Sequence, residues 1–165
     1  MGLPRVLTVN RDGELEINPA VEVEKLRRAE EVSILQAGAP IKQSLTTLRR
    51  ELRIALGTSK PKIAVRLLTS GKSVWELVVD VPARLVSCGE VTFALPPQLE
   101  LDDALRIFID GSVIESFIAG REALTCRVYN VRPGQSEFEI ALLKGESVAV
   151  KQWPLEAIST DRLTT

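Results

Sequence analysis

The chain has 165 residues, 45% of them hydrophobic and 26% charged, with a formal net charge of -1. That suits one globular domain and argues against two domains, a disordered chain or a membrane span. Lysine plus arginine (21) nearly equal aspartate plus glutamate (22), and there is no histidine; no global field draws the chain to nucleic acid or an anionic membrane, and Ser-His and Cys-His nucleophile chemistry is excluded.

The first residues read as a small hairpin, with Arg11-Asp12-Gly13 as the turn and Glu14-Leu15-Glu16-Ile17 alternating polar and apolar. Asn18-Pro19 then looks like an N-cap followed by proline at the first helical position, and Glu22 and Glu24 precede Lys25, Arg27 and Arg28 as a helix dipole favours. A short helix is expected from Pro19 to about Ala29, with Val23, Leu26 and Ala29 as its apolar stripe. Residues 1–42 read as a linker-like extended segment with this helix, residues 43–158 as a β-sandwich, and 159–165 as a tail.

From Ser44 to Leu56 helical and alternating spacings compete; the clear β-character that follows favours a strand over Glu51–Leu56. Further strands are expected at Ile63–Thr69, Val74–Val81, Val91–Leu95, Leu105–Ile109, Val113–Ile118, Leu124–Tyr129, Phe138–Leu143 and Val148–Trp153, separated by glycine turns. The resulting expectation is an all-β fold: a two-sheet antiparallel β-sandwich (lectin-like jelly roll) with one short N-terminal helix. Asp110-Gly111 suits a two-residue type I′ hairpin turn. In that register Arg106 faces Glu115, an opposite-charge cross-strand pair that gives Glu115 a structural role in preference to a catalytic one.

Other chemistry has plainer explanations. Gly71-Lys72-Ser73 resembles the end of a phosphate-binding loop, but Arg66 stands where that motif needs glycine. Without histidine, a carboxylate pair is the remaining route to glycoside hydrolysis, with Asp102, Asp103, Asp110 and Glu115 as candidates; solvated turns and the Arg106 pair account for them more simply. Trp75 and Tyr129 are the candidate carbohydrate-facing aromatics, although core packing is the default for an aromatic in a strand, as it is for Trp153. Leu48-Arg49-Arg50-Glu51-Leu52-Arg53 reads as a solvated strand face, with an acidic partner as the less favoured reading. Cys88 and Cys126 cannot complete a zinc site and read as buried free thiols in preference to a bridge. No metal or cofactor is expected.

The stretch Leu105-Arg106-Ile107-Phe108-Ile109-Asp110-Gly111-Ser112-Val113-Ile114-Glu115-Ser116-Phe117, continued by Gly120-Arg121-Glu122-Ala123-Leu124-Thr125-Cys126-Arg127-Val128-Tyr129, resembles the signature of the C-terminal β-sandwich module of glycoside hydrolase family 32, the family of invertases, levanases and inulinases. Leu3-Pro4-Arg5 and Pro19–Arg27 resemble the segment that joins that family's catalytic propeller to its sandwich, and Val150–Leu155 its last strand. Ser116 and Cys126 depart from the usual residues. The family's three acidic motifs, Asn-Asp-Pro, Arg-Asp-Pro and Glu-Cys, do not occur; Arg11-Asp12-Gly13 lacks the proline. The resemblance therefore implies a non-catalytic module, inactive alone, whose partner is the catalytic propeller of the same parent β-fructosidase and which stabilises that propeller or mediates homo-oligomer contacts. A free-standing carbohydrate-binding module is the alternative.

Overall fold

The computed structural model describes residues 2–57, 60–95 and 105–157. An N-terminal hairpin, β1 (Arg5–Val9) and β2 (Leu15–Pro19), leads into a 3-10 turn over Val21–Leu26. The strands that follow are β3 (Glu31–Gln36), β4 (Ile41–Ser44), β5 (Arg49–Ile54), β6 (Lys62–Thr69), β7 (Lys72–Asp80), β8 (Leu85–Cys88) and β9 (Val91–Ala94). The chain continues with β10 (Leu105–Asp110), β11 (Val113–Ile118), β12 (Glu122–Arg127), β13 (Ser136–Lys144) and β14 (Ser147–Pro154). Among the described residues these build two antiparallel six-stranded sheets, ordered β12-β11-β10-β5-β14-β3 and β4-β13-β6-β7-β8-β9. No helix among the described residues is long and apolar enough to cross a membrane.

Period-two alternation sends Leu52, Ile54, Ile107 and Ile109 of the first sheet and Ile63, Val65, Leu77, Val79, Phe138 and Ile140 of the second into one shared core. The expected sandwich is therefore present. β3, within the stretch read as linker, and β4, which straddles its end, form an edge of each sheet, and β8 is a further strand that the sequence reading did not separate. β3 was hard to see because its apolar Val32 and Ile34 point outward while only Leu35 reaches the core.

The N-terminal helix differs from expectation. Pro19 is the last residue of β2, where an edge strand tolerates its missing N–H, and only a single 3-10 element follows, without a side-chain cap. Arg27 ends it in an extended conformation, and Ala29 lies outside the element. The segment is laid across the outer face of the first sheet: the Ala20 amide donates to the Pro4 carbonyl, Arg28 to Pro154 and Glu156 to Leu26. Val23 and Ala20 form a second small core there with Phe108 and Phe117, whose rings meet edge to face at 5.9 Å.

The β10–β11 turn also corrects the expected register. Its loop is Gly111-Ser112, with Asp110 opposite Val113, so Phe108 faces Glu115 and Arg106 faces Phe117. β10 is hydrogen-bonded on its other side to β5 as far as the Asp110–Arg49 pair, which keeps Asp110 extended and moves the turn one residue on. Gly111, at φ +62°, then occupies the first central position, as a type II′ turn requires. The slip shifts β11 by two positions, so every side chain keeps its expected face but loses its expected partner.

Candidate functional site: a buried carboxylate face closed by the N-terminal segment

β5 is a central strand, and its outward-facing Glu51 is fully buried beneath the 3-10 turn. Arg27, where that turn ends, binds Glu51 with two bonds of 2.8 Å, from Nε to Oε2 and from Nη2 to Oε1. Arg106 approaches from β10, with Nη2 and Nε at 2.8 and 3.0 Å from Oε1. Both arginines reach Glu24, at 3.1 and 3.3 Å, so two guanidinium groups are shared between two carboxylates. The hydrogen bond to Glu51 raises the Arg27 pKa above its already high ordinary value. The Arg27 guanidinium also lies 4.3 Å from the centroid of a Trp153 ring.

Glu115 lies next along the same face. It accepts the Leu3 backbone amide at 2.5 Å, Arg5 Nη2 at 2.6 Å and Thr125 Oγ1 at 3.3 Å; Arg5 also donates to Thr125. The Arg106–Glu115 pair expected from the sequence is therefore replaced by Arg106–Glu51 and Arg5–Glu115, because the hairpin slip leaves Arg106 diagonal to Glu115. A carboxylate whose oxygens are already held by a guanidinium, an amide and a hydroxyl is poorly placed to accept a substrate proton or to attack a glycosidic carbon. These ion pairs serve as fasteners: they join the N-terminal segment to strands of the first sheet. Sequence reasoning missed Glu51 and Arg27 as partners, since no local spacing links residues 24 apart.

The remaining candidates scatter. Trp75 is only 8% exposed and sits in the main core, which removes it as a carbohydrate-facing residue. Tyr129, 70% exposed, lies beyond the end of β12. The Arg49–Arg53 stretch is no solvated face: Arg50 is buried, bonded to Gln152 at 2.8 Å and 5.8 Å from the Phe138 ring, and burial lowers its pKa. Gly71 occupies a tight hairpin turn, at φ +75°. Asp102 and Asp103 lie outside the described residues.

A cavity of about 30 Å³ bounded by Leu3, Leu26, Phe108 and Leu155 lies under the N-terminal segment, enough for a water molecule and too small for a sugar. A polar cleft of about 230 Å³ opens between Ser44, Ser70, Ser136 and Glu137. No cluster of three or more metal-ligating side chains occurs among the described residues.

Beyond the sheet edge the β1–β2 hairpin overhangs. Its Leu7–Ile17 and Val9–Leu15 pairs lie on the face that carries Arg5 toward Glu115, but only Ile17 reaches the small core. Leu7 (62%), Val9 (67%) and Leu15 (52%) remain largely exposed, a contiguous apolar cluster of the kind that marks an interaction surface. Arg121 anchors the hairpin tip through Glu14 and the Leu15 carbonyl.

Residues 98–154 match the family model described as "Glycosyl hydrolases family 32 C terminal". Among solved structures, the fold resembles part of a family 32 β-fructofuranosidase from Bombyx mori, with a TM-score of 0.73, 18% identity and 94% of this chain covering 32% of that one. It also resembles part of a sucrose-6-phosphate hydrolase from Lactobacillus gasseri, with a TM-score of 0.65 and 24% identity, 94% of this chain covering 33% of the other. A family 32 glycoside hydrolase from Bifidobacterium adolescentis gives a TM-score of 0.67 at 21% identity, 95% of this chain covering 26% of that protein. No curated protein matches by sequence. The chain spans about a third or less of the solved structures it resembles, and its likeness to the C-terminal β-sandwich of family 32 enzymes, read first from Leu105–Tyr129, is borne out.

Proposed function

We propose that this chain is the non-catalytic C-terminal module of a family 32 β-fructosidase and that it stabilises the catalytic propeller of the same parent protein by docking against it. The observation that carries the docking role is the overhanging β1–β2 hairpin, whose Leu7, Val9 and Leu15 expose one continuous apolar face. The donor-filled surroundings of Glu51 and Glu115 support a scaffold that leaves catalysis to another domain. Hydrolysis of fructosides belongs, in this reading, to that domain.

The test mixes the chain with the separately produced propeller. A one-to-one complex that raises the propeller's Tm, and that Leu7→Asp or Val9→Asp abolishes without lowering the chain's own Tm, is the expected result. Absence of any complex, or fructosidase activity in the chain alone, overturns the reading.

The exposed Tyr129 favours a second reading, a free-standing carbohydrate-binding module. Calorimetric titration with fructan oligosaccharides separates the two: heat at millimolar sugar that Tyr129→Ala removes supports sugar binding, and its absence supports the docking role alone.

A further inference from the structure

Cys88 and Cys126 come from opposite sheets and meet across the sandwich with their sulfurs 3.6 Å apart, both as free thiols. Cys88 is opposite Leu77 on the inner face of β8, and Cys126 is opposite Ile114 on the inner face of β12. Cys88 belongs to the main core and Cys126 packs against it. We propose that this pair is a redox modification site, which a small-molecule disulfide converts to a Cys88–Cys126 bridge that staples the two sheets together.

The geometry favours closure. A disulfide needs the sulfurs at about 2.05 Å, so contact at van der Waals distance leaves roughly 1.5 Å to close. Among the described residues β12 is an edge strand whose backbone ladder is with β11, its further tie being the Arg5–Thr125 side-chain bond, so it can move that far without breaking a second ladder.

The chemistry has a defined order. Cys126 is half-buried while Cys88 is buried, so the Cys126 thiolate attacks the external disulfide R–S–S–R; a Cys126–S–S–R bond forms and one R–SH leaves after taking up a proton. Cys88 then attacks the Cys126 sulfur, loses its proton, and expels the second R–SH. Two cysteines lose two electrons and two protons, and the reagent gains both as two thiols. Burial, followed by the contact with Cys126, pushes the Cys88 thiol up to about 12. It is therefore a poor first nucleophile, and the short distance to its target makes it a competent second one.

The test incubates the intact chain with oxidised glutathione over a range of reduced-to-oxidised ratios, followed by acid quenching, alkylation and peptide mass spectrometry. The expected product is a monomer that has lost two hydrogens, with the Cys88 and Cys126 peptides joined. Its Tm should rise by about 10 °C, as closure of a loop of this length implies; dithiothreitol reverses the rise and Cys88→Ala abolishes it. Two alkylatable thiols at the most oxidising ratio, a persistent glutathione adduct on Cys126, or a bridge between two chains overturns the proposal. The mass readout on the unmutated chain stands even if the variant folds poorly.

Discussion

Arg5 Nη2 and Glu115 Oε1 meet at 2.6 Å although 110 residues separate them. Arg5 belongs to the N-terminal hairpin and Glu115 to the interior of the first sheet, so this contact ties the hairpin to the sandwich, together with the Arg121–Glu14 pair and the Ile17 amide bond to the Gly120 carbonyl. The Arg5 side chain keeps a third of its surface in solvent while that of Glu115 is nearly all buried. The two ends of the pair therefore carry unequal stakes.

Glu115→Ala leaves the Leu3 amide without its acceptor and Arg5 with only Thr125, and should cost about 2–4 kcal/mol. Arg5→Ala should cost less, about 1–2 kcal/mol, because water reaches the vacated position. Urea unfolding measures both, and limited proteolysis of Glu115→Ala should release the N-terminal segment before the sandwich is cut. Equal losses in the two variants would contradict the asymmetry.

Glu51 is the more severe case. Removing its carboxylate in Glu51→Ala leaves Arg27 and Arg106 sharing only the half-exposed Glu24, and a loss of about 3–5 kcal/mol follows from unpairing buried charge. Glu51→Gln keeps the shape and one acceptor oxygen and should lose less. A denaturation series that ranks the two variants in the opposite order would refute the fastener role.

Most strands were legible because each pairs a period-two apolar face with a glycine turn, as β6, β7, β13 and β14 do. What escaped was information held by distant partners. Val32 and Ile34 look like core residues in β3 and face solvent; Asn18-Pro19 looks like a helix start, yet the backbone there is drawn into β2, whose Ile17 amide donates to the Gly120 carbonyl. The Arg106–Glu115 expectation failed by one turn residue, because the pairing of β10 with β5 outweighs the local preference for Asp-Gly as a loop. Glu51 was invisible for the same reason: its partners arrive from elements 24 and 55 positions away.

The Gly111 turn isolates a backbone effect. A β-carbon added there meets nothing within 4 Å, yet φ is +62°. Gly111→Ala should therefore cost about 1–2 kcal/mol through backbone strain alone. Gly134 offers the comparison: its φ is +72°, it too has open space around it, and it lies outside a two-residue hairpin. If Gly111→Ala proves neutral by calorimetry, the left-handed geometry assigned to the β10–β11 turn is wrong.

On the second sheet, hydrogen bonds from Lys42 and then Arg66 hold the Glu139 carboxyl below the usual carboxylate range. A depressed folded value contributes stability above the ordinary carboxylate pKa, and that contribution disappears as pH falls through the folded value. Glu139→Gln should therefore be less stable than the unmutated chain at pH 7, and the deficit should shrink as pH is lowered to 3. A deficit of the same size at both values would mean that packing, not charge, explains the residue's position.

The last expectation concerns the alkaline side and Cys88. Its thiol is pushed up to about 12, chiefly by burial, whereas the unfolded chain ionises it near 8.5. Between those values the unfolded state releases a proton that the folded state retains, so the stability that Cys88 contributes is whole below about pH 8.5 and declines as pH rises toward 12. Cys88→Ala leaves a small cavity and lowers stability at pH 7, but its alkaline limb should be flatter, and the two curves should converge as pH approaches 11. Guanidinium melts of the reduced chain at pH 7, 9 and 10.5 provide the comparison, with dithiothreitol present so that no bridge forms. Parallel curves across that range would mean that Cys88 ionises equally readily folded and unfolded, and would leave its burial as the one reason for Cys126 to react first.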